Sequence, residues 1–389
     1  MYEVKHELVV QMKQIRLLHT SDIHIGARFD FLGSKGDRQR EAIRNAFTRI
    51  AGMAGGEGFD LLLIAGDLFD SAYQVAESDL AFVLGALAGT GGCRTVILPG
   101  SHDFWAPGGV YEREMDRFEA AGDVTLLTPE RPRAVFDDLS VAVTGAVLTV
   151  PNAPAVPIAG IKPDARYSRN ILMLHGSVTG AAGVSEPGDN AIEFETLEGG
   201  FDYVALGHWH SYLVVAEAPH AVYSGSPELI ARDQRGAGAA VSVVLSERGS
   251  AVERVPIGVR RVRRHTVDCT ALRTTEGLVR KVVEGVAPDG DTVLELAFSG
   301  VVAADAAMDP ALAVRELESR YFSVRLSGDP PERFIPQEEL LTVPGDSVAG
   351  RFVRLMLERI DGARSAERRE LEEALQIGYQ LFRGRNPLG

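Results

Sequence analysis

Five short apolar runs recur within the first 210 residues, and each ends abruptly in acidic or histidine residues. They are IRLLHTSDIH, closing on Asp22 and His24; LLLIAGDLFD, with Asp67; TVILPGSHD, with His102 and Asp103; NILMLHG, with His175; and YVALGHWH, with His208 and His210. A run that is apolar at every position, with no alternation, predicts a strand buried on both faces. Its polar tail then falls at the sheet edge, where α/β folds place their binding sites.

Between these strands the spacing turns helical. Residues 37–56 carry Ile43, Phe47 and Ile50 on one stripe, with Arg38, Glu41, Arg44 and Asn45 elsewhere, and 76–89 and 110–121 also read as helices. Beyond Val124 the texture is more β-like (SVAVTGAVLTV, HAVYSGSP, AAVSVVLS), broken by the four-proline stretch PNAPAVPIAGIKPDAR, which predicts a surface loop. The pattern predicts a layered α/β sandwich, mixed sheets flanked by helices, over residues 15–256. Residues 1–14 read as a tail, with Met12 as an alternative start.

The chain changes character at GVRRVRRH. RHTVDCTAL, EGLVRKVVEGV, TVLELAFSG, PALAVRELESRY and FSVRLSG spell β-α-β-α-β, a smaller α/β cap domain over 257–328. The remainder, 329–389, is a helical tail. One stripe joins Val348, Phe352, Met356 and Ile360, and a second helix, N-capped by Ser365, joins Leu371, Ala374, Leu375, Gly378 and Phe382. Two readings stay open for these helices: they pack on each other or the cap, or they receive a partner's helices.

With 389 residues, 45% of them hydrophobic, the chain has room for two or three domains. No stretch reaches the ~18 apolar residues that span a bilayer, and MYEVKHELVVQMKQ has no signal-peptide core. Cys93 and Cys269 are too few for a disulfide framework, which predicts a cytoplasmic protein with both thiols buried. The net charge of −14 argues against autonomous, tight, non-specific DNA binding. Phosphodiester chemistry remains open if metals neutralise the carboxylates and contacts are local, or if a partner lends a basic surface.

The tails carry the chemistry. Asp22 and His24, two apart at a strand end, point to the same side and can grip one metal, and His208 and His210 repeat the spacing. A carboxylate such as Asp67 on a buried strand is costly unless paired, which makes it the natural bridge between two cations. Two ions ~3.5–4 Å apart can activate water and clamp a phosphate. His102 is not needed as a ligand and suits transition-state stabilisation or protonation of the leaving oxygen, with Asp103 to orient it. Singly, each element has a structural reading; ordered along one chain, they predict a metal site. His19, on an apolar strand, reads as a core histidine, and His6, His220 and His265 as structural. The Arg260, Arg261, Arg263 and Arg264 run has a nucleic-acid-contact reading but reads first as a solvated domain junction.

The order D-x-H, GD, G-x-H-D, H, G-H-x-H resembles the calcineurin-like metallophosphoesterase superfamily over roughly residues 15–250. HTSDIHIG, AGDLFD, GHWH and YSGSPE resemble more narrowly the SbcD and YhaO group of DNA repair nucleases. The resemblance implies that Asp22, His24, Asp67 and His210 hold a first metal and Asp67, Ser101, His175 and His208 a second, with Mn²⁺ the usual ion. It implies that His102 is the catalytic histidine. It further implies a DNA exonuclease and endonuclease that hydrolyses phosphodiesters with a metal-activated water. Such a subunit would be homodimeric and would work in DNA repair and recombination with an SMC-like ATPase (SbcC-like or YhaN-like).

One position departs from the pattern. Ser101 stands where the group has asparagine, and its hydroxyl sits about 1.5 Å nearer the backbone. A bridging water, a weak second site, or a chain altered to trap an inactive state would each account for it. Two rivals therefore stay open: a small-substrate (nucleotide) phosphodiesterase of the same fold, and a catalytically weakened DNA-binding or regulatory subunit.

Overall fold

Each of the five apolar runs is a strand, and their lack of alternation follows from where they lie. In the computed structural model, which describes residues 13–181, 190–231, 234, 236–303, 306–328 and 332–384, the first compact unit is Met1–Arg260. Met12 and His6 fall outside the described residues. The elements of this unit begin with β1 (Ile15–Thr20), α1 (Gly36–Gly56), β2 (Leu61–Ala65), α2 (Glu77–Ala88), β3 (Arg94–Leu98), α3 (Val110–Arg113), α4 (Met115–Ala120) and β4 (Val124–Leu126). Then come β5 (Arg133–Phe136), β6 (Val141–Gly145), β7 (Arg169–His175), β8 (Ser177–Val178), β9 (Ala191–Ile192) and β10 (Tyr203–Gly207). The unit closes with β11 (Leu213–Glu217), β12 (His220–Tyr223), β13 (Ala239–Ser246) and β14 (Gly249–Pro256).

Two six-stranded sheets form, in the orders β14-β13-β1-β2-β3-β4 and β11-β12-β10-β7-β6-β5. Each has a parallel centre and antiparallel pairing toward an edge: β1 with β13 in the first, β11 with β12 and β5 with β6 in the second. Leu17, Leu61, Leu63 and Val96 of the first sheet meet Val143, Ile171, Met173 and Tyr203 of the second in a shared core. Their chain neighbours Leu18, Leu62, Ile64 and Ile97 point the other way, onto Ile43, Phe47 and Ile50 of α1 and Leu80, Val83 and Leu87 of α2. Period-two alternation thus sends successive apolar residues into two different cores. The architecture is the mixed, layered α/β sandwich the pattern predicts.

The helix expected over 110–121 is broken at Glu114 (φ −110°, ψ 13°), whose carboxylate accepts from Arg113 Nε at 2.8 Å and Arg117 Nη1 at 3.1 Å. Arg260 is not a solvated junction residue either. It is buried, and its Nε donates to Gln39 Oε1 at 3.1 Å.

The second unit, Arg261–Gly389, holds β15 (Arg261–Asp268), α5 (Thr275–Gly285), β16 (Thr292–Ser299), β17 (Val301–Val302), α6 (Pro310–Leu317), β18 (Ser323–Leu326), β19 (Glu332–Arg333), α7 (Gln337–Leu340), α8 (Val348–Gly362) and α9 (Ser365–Phe382). Strands β15, β16 and β18 form a parallel sheet. Val267, Leu294 and Leu296 pack with Leu278 and Val282 of α5 and Leu317 of α6. Thr274 and Asp309 cap these helices by accepting from backbone N–H groups of their first turns.

Helices α8 and α9 pack together through Val353, Met356, Ile360 and Leu375 over Ile335 and Leu340. The Gln376 amide fixes them to the preceding segment, accepting from Ile335 N at 2.7 Å and donating to Ile335 O at 2.9 Å. The sequence stripe is displaced at its ends: Val348 (72% exposed) and Phe382 (49%) face outward. The cap position of α9 is Arg364, one residue before Ser365. No helix among the described residues is long and apolar enough to cross a membrane.

Candidate metal centre

Because β1, β2 and β3 are mutually parallel, as are β7 and β10, their carboxyl ends deliver their tails to one edge of each sheet. The β1 tail is sewn to the β2 tail by the backbone. Asp22 N donates to Gly66 O, Ile23 N and His24 N to Asp67 O, and Asp70 N to Ile25 O, all within 2.8–3.0 Å. Asp22, His24, Asp67 and His208 all hold positive φ (54°, 53°, 53° and 94°). Side-chained residues pay strain there, a cost that clusters at functional sites. The sheets meet where His175 Nδ1 lies 2.9 Å from Ala65 O. Gly66 permits that approach, since a Cβ on it would fall 2.1 Å from the same nitrogen.

Donor atoms converge on this edge. His24, His210 and Asp22 form one group whose ligand atoms all lie within 4.8 Å of one another, and Asp22, Asp67 and His175 form another. Asp67 Oδ2 is 3.2 Å from His175 Nε2 and 3.7 Å from His24 Nε2, and Asp22 Oδ1 is 3.6 Å from His210 Nε2. Ser101 Oγ donates to Asp67 Oδ2 at 3.2 Å and lies 3.3 Å from His175 Nε2, within the second group. His208 joins differently. Its backbone N–H donates to both Asp22 carboxylate oxygens, at 3.0 and 3.1 Å, and its ring stands 5.2 Å from that of His175, centroid to centroid. Asp22, like Asp67, therefore reaches toward both groups.

The electrostatics fit a divalent-cation site. Asp22 and Asp67 are buried, and among the described residues neither has an ion pair with lysine or arginine. Burial raises the Asp22 carboxyl above its usual range, with Asp67 adding to the rise. At Asp67 burial pushes up too, but His175, His24 and His102 outweigh it and hold the carboxyl well below normal. His208 and His210 are lowered to about 4 and about 3, chiefly by burial, and so are neutral donors at pH 7. His175 is raised to about 9, because the Asp67 charge and hydrogen bond overcome burial. Carboxylate oxygens and imidazole nitrogens with no thiolate suit a divalent cation.

His102 stands at the rim with its side chain half exposed. Its ring lies 4.6 Å from that of His24, and its backbone N–H donates to Asp67 Oδ1 at 2.8 Å. Asp103, expected to orient it, does not. That carboxylate is fully buried and accepts from Asp67 N (3.2 Å), Phe69 N (3.0 Å), Gly100 N (2.7 Å) and Tyr111 Oη (2.6 Å), clamping the loops that carry the donors.

The residue facing His102 is one that sequence reasoning missed. His102 Nδ1 donates to the Asp70 carbonyl at 3.2 Å and lies 3.9 Å from the Asp70 carboxylate, which is itself 3.1 Å from His24 Nδ1. The only local signal was a second acid three residues after Asp67. Gln234, whose amide touches His210 Nδ1, carried no signal at all. His19 is a core histidine as expected, with Nδ1 2.9 Å from Tyr203 Oη. His220 bonds Ser250 Oγ at 2.8 Å.

The chain is 29% identical over 293 residues to the DNA double-strand break repair protein Mre11 of Methanopyrus kandleri, covering 70% of this chain and 63% of that one. It is 25% identical over 237 residues to the protein of the same name from Saccharolobus solfataricus, covering 57% and 56%. The chain thus spans less than two thirds of the length of either relative. The calcineurin-like phosphoesterase profile matches residues 15–212, the segment that supplies every donor described above from β1 to His210. The chain therefore belongs to the calcineurin-like phosphoesterase family.

Proposed function

We propose that this chain is a metal-dependent phosphodiesterase that cleaves DNA, acting as the nuclease subunit of a double-strand-break repair complex. The observation that carries the reading is the convergence of Asp22, His24, Asp67, His175 and His210 where the two sheets meet, with His102 exposed beside them. Family membership and the two repair-protein relatives support it. Asp22, His24, Asp67 and His210 would hold one ion, and Asp67, Ser101, His175 and His208 the other, with Asp22 near both and Mn²⁺ the preferred metal. Such ions supply Lewis acidity toward the phosphate and lower the pKa of an attacking water.

The remaining work falls to the chain. Positive-φ backbone at Asp22, His24, Asp67 and His208 fixes where the donors point. The Asp70 carbonyl holds His102 Nδ1, which leaves Nε2 for the phosphate and the departing oxygen. Asp103 and Tyr111 keep the two loops in register.

A homodimer paired with an SMC-like ATPase is the assembly that suits a net charge of −14, since the broad grip on DNA phosphates then comes from the partner. Leu355, Leu381 and Phe382, exposed on α8 and α9, support these helices as the docking segment. The test is cleavage of end-labelled linear and hairpin DNA with Mn²⁺, with Asp67→Asn as the blank and Ser101→Asn alongside. Metal-dependent cleavage lost in Asp67→Asn supports the reading. Cleavage of nucleotide diesters with none of DNA, alone or with the ATPase, would replace it with the small-substrate enzyme.

A further inference from the structure

We propose that Tyr73 and Phe104 form a stacking shelf for an unpaired nucleobase beside the metal centre, so that the nucleotide flanking the scissile bond is bound out of the duplex. The proposal rests on the phosphodiesterase reading and names the kind of substrate that site would take. Tyr73 is 54% exposed and is the only exposed aromatic residue among the described side chains of the first unit. Its loop is held in place. Ser71 Oγ accepts from Tyr73 N at 3.2 Å and Gln74 N at 3.1 Å, and Val110 N donates to the carbonyl of buried Ala72 at 2.7 Å. The ring is thus presented on a fixed backbone.

Tyr73 meets Phe104 edge to face, with centroids 5.9 Å apart and planes at 82°. Both rings hang from segments that build the metal centre. Phe104 directly follows Asp103 and is two residues from His102, so its Cα lies at most about 7–8 Å from that of His102. Tyr73 is three residues beyond Asp70, whose carboxylate bonds His24.

Apart from the Tyr73 hydroxyl, which can donate one hydrogen bond, a neutral aromatic surface has little to offer a phosphate. Of the parts of a nucleic acid it recognises the flat face of a base, and it does so with little regard for sequence. Inside a duplex those faces are already covered, so a frayed end, a single strand or a hairpin loop is what the shelf can take. Stacking would also supply affinity that a chain of net charge −14 does not draw from phosphate contacts.

The test compares wild type, Tyr73→Ala and Tyr73→Trp on two single-stranded oligonucleotides with Mn²⁺. The two share a sequence, but one carries tetrahydrofuran abasic residues around the cleavage position. The alanine variant should lose roughly 5- to 100-fold in kcat/KM on the intact strand, mainly through KM, and tryptophan should restore it. The abasic strand should be cut equally by all three. Equal rates everywhere, or equal losses on both strands, would overturn the shelf and leave Tyr73 to a protein contact.

A second readout does not need cleavage. With Ca²⁺ in place of Mn²⁺, oligo(dT) should quench the fluorescence of Tyr73→Trp beyond the wild-type background. Absence of quenching counts against the shelf even if the chain cuts no DNA, an outcome that would sink the nuclease reading separately.

Discussion

The carboxylate of Asp70 lies 3.1 Å from Nδ1 of His24, while Nε2 of the same ring faces Asp67 at 3.7 Å. A histidine that binds a metal through one nitrogen is oriented by whatever holds the other, and removing that partner typically costs 10- to 100-fold in affinity. Asp70→Ala should therefore weaken Mn²⁺ binding by roughly that factor in a calorimetric titration. Asp70→Asn keeps an acceptor oxygen and should retain most of the affinity. An alanine variant that binds metal within twofold of wild type would show that His24 needs no such support.

The strands and most donors were legible because burial leaves a plain trace. A run such as Leu61–Ala65, apolar at every position, has to be covered on both faces, and the acid that follows has to be paired with something. Asp70 was not legible, because its place depends on Asp70 N reaching Ile25 O across a separation in sequence that no local pattern encodes. Asp103 misled by adjacency. Residues 101–103 form a bend rather than a strand, and in it the Asp103 carboxylate turns inward to the backbone of Asp67, Phe69 and Gly100 while His102 stays exposed. Arg260 reads as one more surface arginine in a run of four, but it is buried and donates to Gln39 of α1.

Gly207 should tolerate no side chain. A Cβ there would fall 1.9 Å from Ala65 O and 2.9 Å from His175 Nδ1, the two atoms that join the sheets beneath the metal centre. Both contacts involve buried groups with no room to retreat, so Gly207→Ala must shift one sheet edge against the other. It should destabilise the protein by about 1–3 kcal/mol and lower metal affinity together, because the displaced ring is a donor. Thermal melts and Mn²⁺ titration check the pair. Wild-type values for both would mean the junction is softer than its packing implies.

Buried His19 should make the fold acid-sensitive. Burial lowers its pKa from 6.5 to about 3, so the folded protein keeps it neutral while the unfolded chain can protonate it below pH 6.5. The folded value is the lower one, so stability is full above pH 6.5 and falls as pH drops from there toward 3. Between pH 7 and pH 5 the contribution of this one group is about 2 kcal/mol. His19→Gln, which cannot titrate, should lose that much less than wild type over the same interval in urea denaturation. Parallel losses in the two proteins would place the acid sensitivity elsewhere.

Asp67 is the donor on which metal linkage should turn. Its Oδ2 is near His175, His24 and Ser101 while Oδ1 accepts from His102 N, so one carboxylate touches both donor groups and the loop that carries His102. Asp22 beside it is buried without lysine or arginine among the described residues, burial pushes its carboxyl up, and a bound cation relieves that cost. Free Mn²⁺ at a hundred times its Kd should stabilise wild type by about 2.7 kcal/mol, and the melting temperature should rise on addition and return with chelator. Asp67→Asn should show no such rise and should melt below wild type in chelator, because the buried His175 imidazolium then loses the charge that holds it. A variant that still responds to Mn²⁺ as wild type does would mean that the ions sit on Asp22 and the histidines alone.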